Sequence, residues 1–294
     1  LRHLRYLILY LGFFSLSINS DDFEYNTYNN HGIIGLINMP TARLYNEASH
    51  GITFYYGDPD QKLTLTSSPY DWLEASIFYT NIKRYPYCDG PDDFCNQDYK
   101  DKGFNLKLRL KEEGLLPAIA VGGYDIAGTG IYSSEYIVAS YGINDLDVHF
   151  GLAWGALNGS KNAVKNPFSY LSENFNTRSN DFEGKGGQLE ISRYFTGDTA
   201  SPFFGISYAL NQKILLKIEN DTTVTPGYPN YEIAKKNISI GLDYKPNKNF
   251  SIGFSQERGN IFSMKFSYKN SPIESKKIYE YEPAELKNDS SKYT

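Results

Sequence analysis

The chain has 294 residues, a net charge of -5, a pI near 5.5 and a mean hydropathy of -0.47. This acidic composition has no cluster of Lys and Arg interleaved with aromatic residues, which excludes a nucleic-acid-binding surface. The four histidines and two cysteines never occur at metal-ligand spacing such as CxxC or HExxH, so no metal and no cofactor are expected.

Tyrosine is unusually frequent, with 26 Tyr and 18 Phe beside 2 Trp and 25 Gly. Membrane β-barrels use tyrosines at both membrane interfaces. They keep a low mean hydropathy because every second residue of a strand faces a wet interior. The composition therefore favours a membrane barrel over a soluble β-sandwich.

The first twenty residues, LRHLRYLILYLGFFSLSINS, have a basic head, an apolar run and then small residues. This order predicts a secretory signal peptide over residues 1–20. The apolar run is too short to span a bilayer comfortably. A buried N-terminal helix is the alternative, but the DDFEYNTYNN that follows lacks amphipathic periodicity.

Residues 21–50 do not alternate and precede the first predicted strand, so we interpret them as a pre-barrel or plug segment. The MPTAR motif lies within this segment. Pro40 fixes one backbone angle and Arg43 offers a fork of hydrogen-bond donors. These residues fit either a structural role lining a plug or contact with a ligand, and the structural role is favoured.

From Gly51 onward, apolar and polar residues alternate in segments separated by turn residues, as in FNLKLRLKEE (104–113). The clearest segments are 104–113, 146–155, 237–246, 250–259 and 261–270. Weaker candidates are 51–57, 62–68, 72–82, 117–126, 133–143, 186–195, 202–210 and 213–220. About 13 strands result, and we expect 12 or 14 because single-chain outer-membrane barrels normally close with an even number.

Strand length indicates which solvent the apolar faces meet. Ten residues at about 3.3 Å each, tilted near 40°, rise about 25 Å, the height of the apolar band of an outer-membrane barrel. The sequence therefore predicts an all-β, antiparallel transmembrane β-barrel of about 12–14 strands over residues 51–270. Its candidate lumen lining comprises Lys107, Arg109, Lys111, Lys265 and Lys269.

The segments outside the repeat carry separate predictions. Cys88 and Cys95 lie in a loop rich in Pro, Gly and Asp, and export to an oxidising compartment favours a disulfide between them. Residues 158–185 form the longest gap between alternating segments, and we expect a surface loop or a lumen insert there. Residues 271–294 are charged and predict a polar periplasmic tail or a linker.

The hairpin sequence GGYDIAGTGIYSSEY contains Asp125, Thr129 and Glu135 between glycines that permit a sharp turn. These polar side chains fit two interpretations. They hydrogen-bond across the hairpin, which is favoured, or they form a carbohydrate-facing patch at the mouth of the lumen.

Three stretches resemble the YjbH-like family of exopolysaccharide-associated outer-membrane β-barrel proteins. They are GLINMPTARL (35–44), KGFNLKLRLKEEGLLPAIAVGGYDIAGTGIYSSEYIVAS (102–140) and DVHFGLAWG (147–155). The resemblance implies a Gram-negative outer-membrane barrel tied to exopolysaccharide production and export, with no catalytic residues to carry over. Longer members look like two tandem barrels, and this chain has room for one.

The leading hypothesis is a non-enzymatic barrel that assists export of an anionic or neutral polysaccharide, with outer-membrane lipid, the polysaccharide and export-machinery proteins as partners. The alternatives are a general porin-like channel and a secreted soluble carbohydrate-binding β-protein. An enzyme is not expected. His149 lies on a clear strand beside Asp147, but the alternation directs both toward the lumen, away from lipid.

Overall fold

The computed structural model describes residues 26–87, 97–179, 189–224 and 236–272, and its main feature is a sheet of antiparallel strands closed into a barrel. The barrel strands are β1 (Ser49–Tyr56), β2 (Asp60–Tyr70), β3 (Leu73–Pro86), β4 (Asp98–Lys111), β5 (Ala118–Tyr124), β6 (Ser134–Ile143), β7 (Leu146–Ala153), β9 (Thr199–Asn211), β10 (Ile214–Asn220), β11 (Ile238–Tyr244), β12 (Phe250–Glu257) and β13 (Ile261–Asn270). A two-residue strand, β8 (Val164–Lys165), pairs only with the start of β9.

Each barrel strand pairs with its neighbour in chain order, β7 pairs with β9, and β13 returns to pair with β1. The barrel therefore closes with 12 strands, one of the two numbers that the sequence predicts. The predicted signal peptide, both cysteines and most of the predicted polar tail lie outside the described residues.

The predicted strand at 186–195 is wrong. In the described part of this segment, Ile191–Arg193 form a single 3-10 turn. The carbonyl oxygens of Phe195 and Gly197 accept hydrogen bonds from the Asn166 side chain. The main chain here therefore binds another part of the loop between β7 and β9, and no strand ladder forms.

The helical elements of the described chain are all 3-10 turns: Gly155–Leu157, Pro167–Tyr170, Glu173–Phe175 and Ile191–Arg193. All four belong to the long connection between β7 and β9. Among the described residues, no helix has both the length and the apolar character needed to cross a membrane.

Period-two alternation separates an inner and an outer face, as the sequence predicts. In β4, Asn105 and Lys107 are buried inside the barrel, whereas Phe104 and Leu110 are exposed outside. The outer face carries a belt of large apolar side chains, which includes Phe54, Leu65, Ile77, Phe104, Phe150, Phe204, Ile240, Phe254 and Phe266. A closed barrel pairs every strand edge, so this belt can contact lipid without exposing a backbone ladder.

The two ends of the barrel differ. We call one the turn end, because it carries most of the short connections, 71–72, 112–117, 144–145, 212–213 and 245–249. We call the other the loop end, because it carries the long connections, 87–97, 125–133, 154–198 and 221–237. Ser49 begins β1 and Asn270 ends β13 at the turn end, so the chain enters and leaves the barrel on the same side.

The interior of the barrel holds another part of the chain. Side chains alone fill barrels of about eight strands, and a barrel of 12 strands is wider. Residues 27–42 are buried throughout, and they occupy the lumen. We call residues 26–48 the plug.

The outer belt gives a direct test of the barrel. Ile77 is 54% exposed and pairs with Leu65 and Phe104, so it lies among apolar neighbours on the outer face. We expect Ile77→Arg to reduce the folded yield strongly, because a lipid-facing Arg costs about 2–4 kcal/mol near the bilayer midplane. The measurement is heat-modifiable gel migration of membrane fractions.

The matched control is Leu115→Arg, since Leu115 is 100% exposed in the connection at the turn end. This change leaves the folded yield near that of the unchanged protein. Equal losses for the two variants would show that the outer face does not meet lipid.

Candidate functional site

The plug enters and leaves the lumen at the turn end. The hydroxyl of Tyr45 donates to the carbonyl oxygen of Asn26 (2.9 Å), which brings the two ends of the plug together. Its two tips reach the loop end, where the side-chain amides of Asn30 and Asn38 donate to Glu257 at 3.0 and 2.7 Å. The plug is therefore a folded loop with both stems on one side.

Apolar side chains pack the plug against one half of the wall. Ile33, Leu36 and Met39 are fully buried in a cluster with wall residues of β5, β6 and β9. The wall members of this cluster include Ala118, Ala120, Tyr136, Val138 and Phe203. At 25 cal/mol per Å² of buried apolar surface, side chains of this size contribute about 1.5–3 kcal/mol each.

Glycine is required where the plug turns beside β2. Gly32 has a φ of 77°, a left-handed conformation that side chains other than glycine rarely adopt. A Cβ placed there would lie 2.4 Å from the Cβ of Thr64. Thr66 donates its hydroxyl to the Gly32 carbonyl oxygen at 2.5 Å. The close approach and the turn both depend on the missing side chain.

One charged pair of the wall holds both polar main-chain groups of Ile34. Glu74 of β3 and Lys107 of β4 lie opposite each other in register, 2.9 Å apart, and both are 0% exposed. The Ile34 amide donates to Glu74 Oε1 (3.1 Å), and Lys107 Nζ donates to the Ile34 carbonyl oxygen (2.8 Å). The acceptor and the donor of this ion pair thus complete the hydrogen bonding of one plug residue.

Two charged residues of β10, Lys217 and Glu219, bind the next turn of the plug. Lys217 Nζ donates to the carbonyl oxygens of Gly35 (2.7 Å) and Leu36 (2.9 Å). Glu219 accepts three consecutive amide hydrogens, from Ile37 (2.9 Å), Asn38 (2.9 Å) and Met39 (3.1 Å). Hydrogen bonds to charged groups contribute about 1.5–3 kcal/mol each, so this pair fixes the plug firmly.

A third group of wall charges lies near the stems of the plug. Asp243 accepts from the hydroxyl of Thr27 and lies 2.9 Å from Lys217 and 3.5 Å from Lys265. Lys265 donates to the carbonyl oxygen of Tyr28. These contacts repeat the arrangement of the other two pairs, in which wall carboxylates and ammonium groups bind uncharged groups of the plug.

Arg43 of the predicted plug motif fastens the plug at the turn end. Its guanidinium donates twice to Asp147, at 2.8 Å and 2.7 Å, and also pairs with Glu113. Pro40 forms an isolated β-bridge with Gly35 inside the plug. The structure therefore brings both residues into the lumen, with Arg43 bound to the wall and Pro40 within the fold of the plug itself.

Two of the predicted lumen lysines lie inside the barrel beside carboxylates. Lys107 pairs with Glu74, and Lys265 lies 3.5 Å from Asp243. Sequence reasoning missed these acidic partners, because Glu74 belongs to a weakly alternating segment and the strand register is not visible in the sequence. The two lysines are therefore paired with carboxylates, and they do not form a row of unopposed positive charges.

The other three predicted lining residues lie toward the turn end. Lys269 Nζ lies 4.4 Å from the ring centroid of Tyr45, in the plug. Arg109 is 3.1 Å from Glu112. Lys111 is the last residue of β4 and is partly exposed. These residues are near the rim, and the structure does not join them into one track with Lys107.

The three polar residues of the hairpin motif bind different partners and do not form one cluster. Asp125 accepts from the Tyr132 amide across the hairpin (3.1 Å), whereas Thr129 donates to Asp101 of β4 (2.5 Å). Burial, with the nearby charge of Asp101, raises the pKa of Asp125 to about 7. Glu135 instead binds the guanidinium of Arg178 at 2.7 and 2.9 Å.

The connection between β7 and β9 covers part of the loop end. Arg178 anchors it to Glu135 and Ser133. Its Leu157 is buried in the same cluster as Met39 of the plug, and the Leu157 carbonyl oxygen accepts from Thr222 (2.6 Å). The plug tip is therefore capped by loop residues on the side opposite to its stems.

A Ser, His and Asp set also lies in the lumen. His149 Nδ1 is 2.8 Å from Ser140 Oγ, and its Nε2 is 3.7 Å from Asp147 Oδ2. Ser140 Oγ already accepts the amide hydrogen of Ala42, and Asp147 is bound by Arg43. Ser140 and Asp147 thus bind the plug, and His149 bridges wall residues, with Ser207 at 3.4 Å on its other side.

A cavity of about 30 Å³ lies at the loop end, between the plug tip and the turns that lead into β2 and β13. Its lining includes Asn30, His31, Lys62, Glu257 and Arg258. Burial, with the nearby charges of Lys62 and Arg258, holds the pKa of His31 well below its usual value. The cavity accommodates about one water molecule, so it is not a passage for a polymer.

The chain is similar to known proteins in sequence and in fold. A curated relative, described as the uncharacterized lipoprotein YjbH of Escherichia coli (strain K12), is 37% identical over 190 residues. The aligned part covers 64% of this chain and 27% of the relative, so the chain spans about a quarter of that protein.

Solved structures similar in fold include the KdgM porin, with a TM-score of 0.39 and 9% identity, covering 76% of this chain and 98% of the porin. The NanC porin has a TM-score of 0.34 and 10% identity, covering 76% of this chain and 97% of the porin. The family model described as exopolysaccharide biosynthesis protein YbjH matches residues 27–293. Since that match spans most of the chain, the protein belongs to the YjbH family of exopolysaccharide biosynthesis proteins.

Proposed function

We propose that the protein is a non-enzymatic, gated barrel that assists the passage of exopolysaccharide across the outer membrane, and that the plug is the gate. The observation that carries this proposal is a polar lumen filled by a loop whose two stems leave at the same end. The family supplies the connection to exopolysaccharide.

The orientation of the barrel makes movement of the plug feasible. In outer-membrane barrels, short turns face the periplasm and longer loops face outward. The turn end then lies in the periplasm, and both stems of the plug emerge there. The plug can withdraw as one loop toward the periplasm, and no part of the chain has to thread through the wall.

The wall keeps most of its charge pairing when the plug leaves. Glu74 lies 2.9 Å from Lys107, and Lys217 lies 2.9 Å from Asp243, and both contacts join wall residues to each other, so neither requires the plug. An isolated buried charge would cost several kcal/mol, and a paired one costs less. The open state therefore avoids unpaired charges at these positions.

Two alternatives fit the structure less well. A constitutively open general porin would need a clear lumen, whereas here the plug and Leu157 occupy its axis. A soluble carbohydrate-binding protein would bury its apolar faces, whereas the outer belt is exposed.

Cross-linking the plug to the wall tests the gate. The Ala42 amide lies 2.9 Å from Ser140 Oγ, so Ala42→Cys with Ser140→Cys, in a Cys88→Ser, Cys95→Ser background, places two thiols together. Under oxidising conditions we expect the polymer recovered outside the cells to fall at least fivefold, and a membrane-permeant reductant to restore it. The measurement is the extracellular polysaccharide per cell.

The control joins two wall strands. Ser255 and Ser263 lie opposite each other in β12 and β13, with their hydroxyl oxygens 2.6 Å apart. Ser255→Cys with Ser263→Cys introduces an interior cross-link that leaves the plug mobile, so export continues. Undiminished export from the oxidised plug variant would refute the gate, as would an equal loss in both variants.

The wall pair beneath Ile34 gives a test of stability. We expect Glu74→Leu or Lys107→Leu alone to destabilise the barrel by about 3–5 kcal/mol, because either leaves a buried charge without its partner. The double variant should lose less stability than either single variant. Guanidinium unfolding in detergent, followed by tyrosine fluorescence, measures the free energy of unfolding of each variant relative to the unchanged protein. Additive losses of stability would contradict the pairing.

A further inference from the structure

The part of the plug that fills the lumen carries no charged side chain. Residues 27–42 read TYNNHGIIGLINMPTA, with no Asp, Glu, Lys or Arg. The low pKa of His31 leaves its ring uncharged near neutral pH. The surrounding wall, in contrast, presents carboxylates and ammonium groups. The lumen wall is thus a charged surface that binds an uncharged, polar chain.

The wall binds the plug through paired acceptors and donors. At Ile34, Glu74 accepts from the amide while Lys107 donates to the carbonyl oxygen. On β10, Glu219 and Lys217 repeat this arrangement two residues apart. A sugar with neighbouring hydroxyl groups offers the same two functions, an O–H donor and an oxygen acceptor, a few ångströms apart.

An aromatic surface accompanies the pairs. The ring of Tyr124 stacks on His31 of the plug, with centroids 4.2 Å apart and an angle of 14° between the planes. The flat face of a sugar ring can occupy the position of a stacked ring. The wall therefore combines hydrogen-bonding pairs with an aromatic face, the two contacts that a sugar unit uses.

We propose that the lumen wall is a binding track for an uncharged, hydroxyl-rich polysaccharide, and that the plug occupies this track as an internal stand-in for the polymer. This inference rests on the proposed function and names its substrate class. The polymer and the plug compete for Glu74 with Lys107 and for Lys217 with Glu219.

The wall carboxylates select against an acidic polymer. Glu257 accepts hydrogen bonds from Asn30 and Asn38 of the plug, so a uronic acid unit in their place would bring like charges together. Lys107 is paired with Glu74, and Lys217 and Lys265 share Asp243, with Glu219 two residues from Lys217 on β10. This part of the wall therefore has no surplus of basic over acidic side chains to offset that repulsion. The track is therefore selective for neutral sugars, in contrast to the anionic cargo that a basic lining would favour.

Hydrogen exchange of the plug amides tests the competition. The full-length protein in detergent is incubated with heptasaccharides of glucose, galactose or mannose, and separately with the matching uronic acid heptamers. Mass spectrometry then follows exchange in peptides covering residues 27–42. We expect at least one neutral heptasaccharide to speed exchange at least tenfold, and its uronic acid counterpart to have little effect.

A charge variant sharpens the test. Glu257→Gln keeps an acceptor for the side-chain amides of Asn30 and Asn38 and removes one negative charge. It should therefore narrow the difference in exchange rate between each neutral heptasaccharide and its uronic acid counterpart. The matched control is Glu47→Gln, because Glu47 is exposed outside the lumen. Its replacement leaves the difference in exchange rate between neutral and uronic acid heptamers unchanged.

The results separate this inference from the proposed function. If no neutral heptasaccharide changes the exchange, or if uronic acid heptamers act equally well, the neutral track is refuted. The cross-linking experiment on export stands independently of that result. Loss of export on cross-linking together with no sugar effect would retain the gate and remove only the binding track.

Discussion

The structure depends on buried ion pairs of the wall that bind the main chain of the plug. Glu74 with Lys107, and Lys217 with Asp243, are almost fully out of contact with solvent. Burying such groups is costly unless they are paired and hydrogen-bonded, and the polar groups of residues 34–36 and of Thr27 supply hydrogen bonds to them. The charged lumen therefore favours an occupant, and these ion pairs bind the plug mainly through its backbone.

Alternation allowed most of the fold to be predicted from the sequence. The period of two in segments such as 104–113 and 261–270 gives both the strands and their outer face, because lipid outside and polar groups inside enforce a strict pattern. The segment at 186–195 contains a similar pattern but lies in a loop, where hydrogen bonds to the Asn166 side chain replace strand pairing.

The candidate site was harder to predict, because it depends on contacts distant in sequence. Lys107 was placed in the lumen, but Glu74 becomes its partner only through the register of β3 and β4. Glu219 and Asp243 lie on strands whose order around the barrel brings them to the plug. Residues 27–42 have no periodicity, since their polar groups are satisfied partly by the wall and partly by irregular hydrogen bonds within the plug.

The position of the plug stems also bears on how the molecule assembles. The plug precedes every barrel strand in the chain, so it is synthesised before the wall. Its binding partners on β10 and β11 are made after most of the wall, and they belong to a closed wall only after β13 has joined β1. Because both stems lie at the turn end, the loop can enter a barrel that has already closed. Insertion of the wall into the membrane and filling of its interior can therefore be separate events, with the plug docking after the wall has closed.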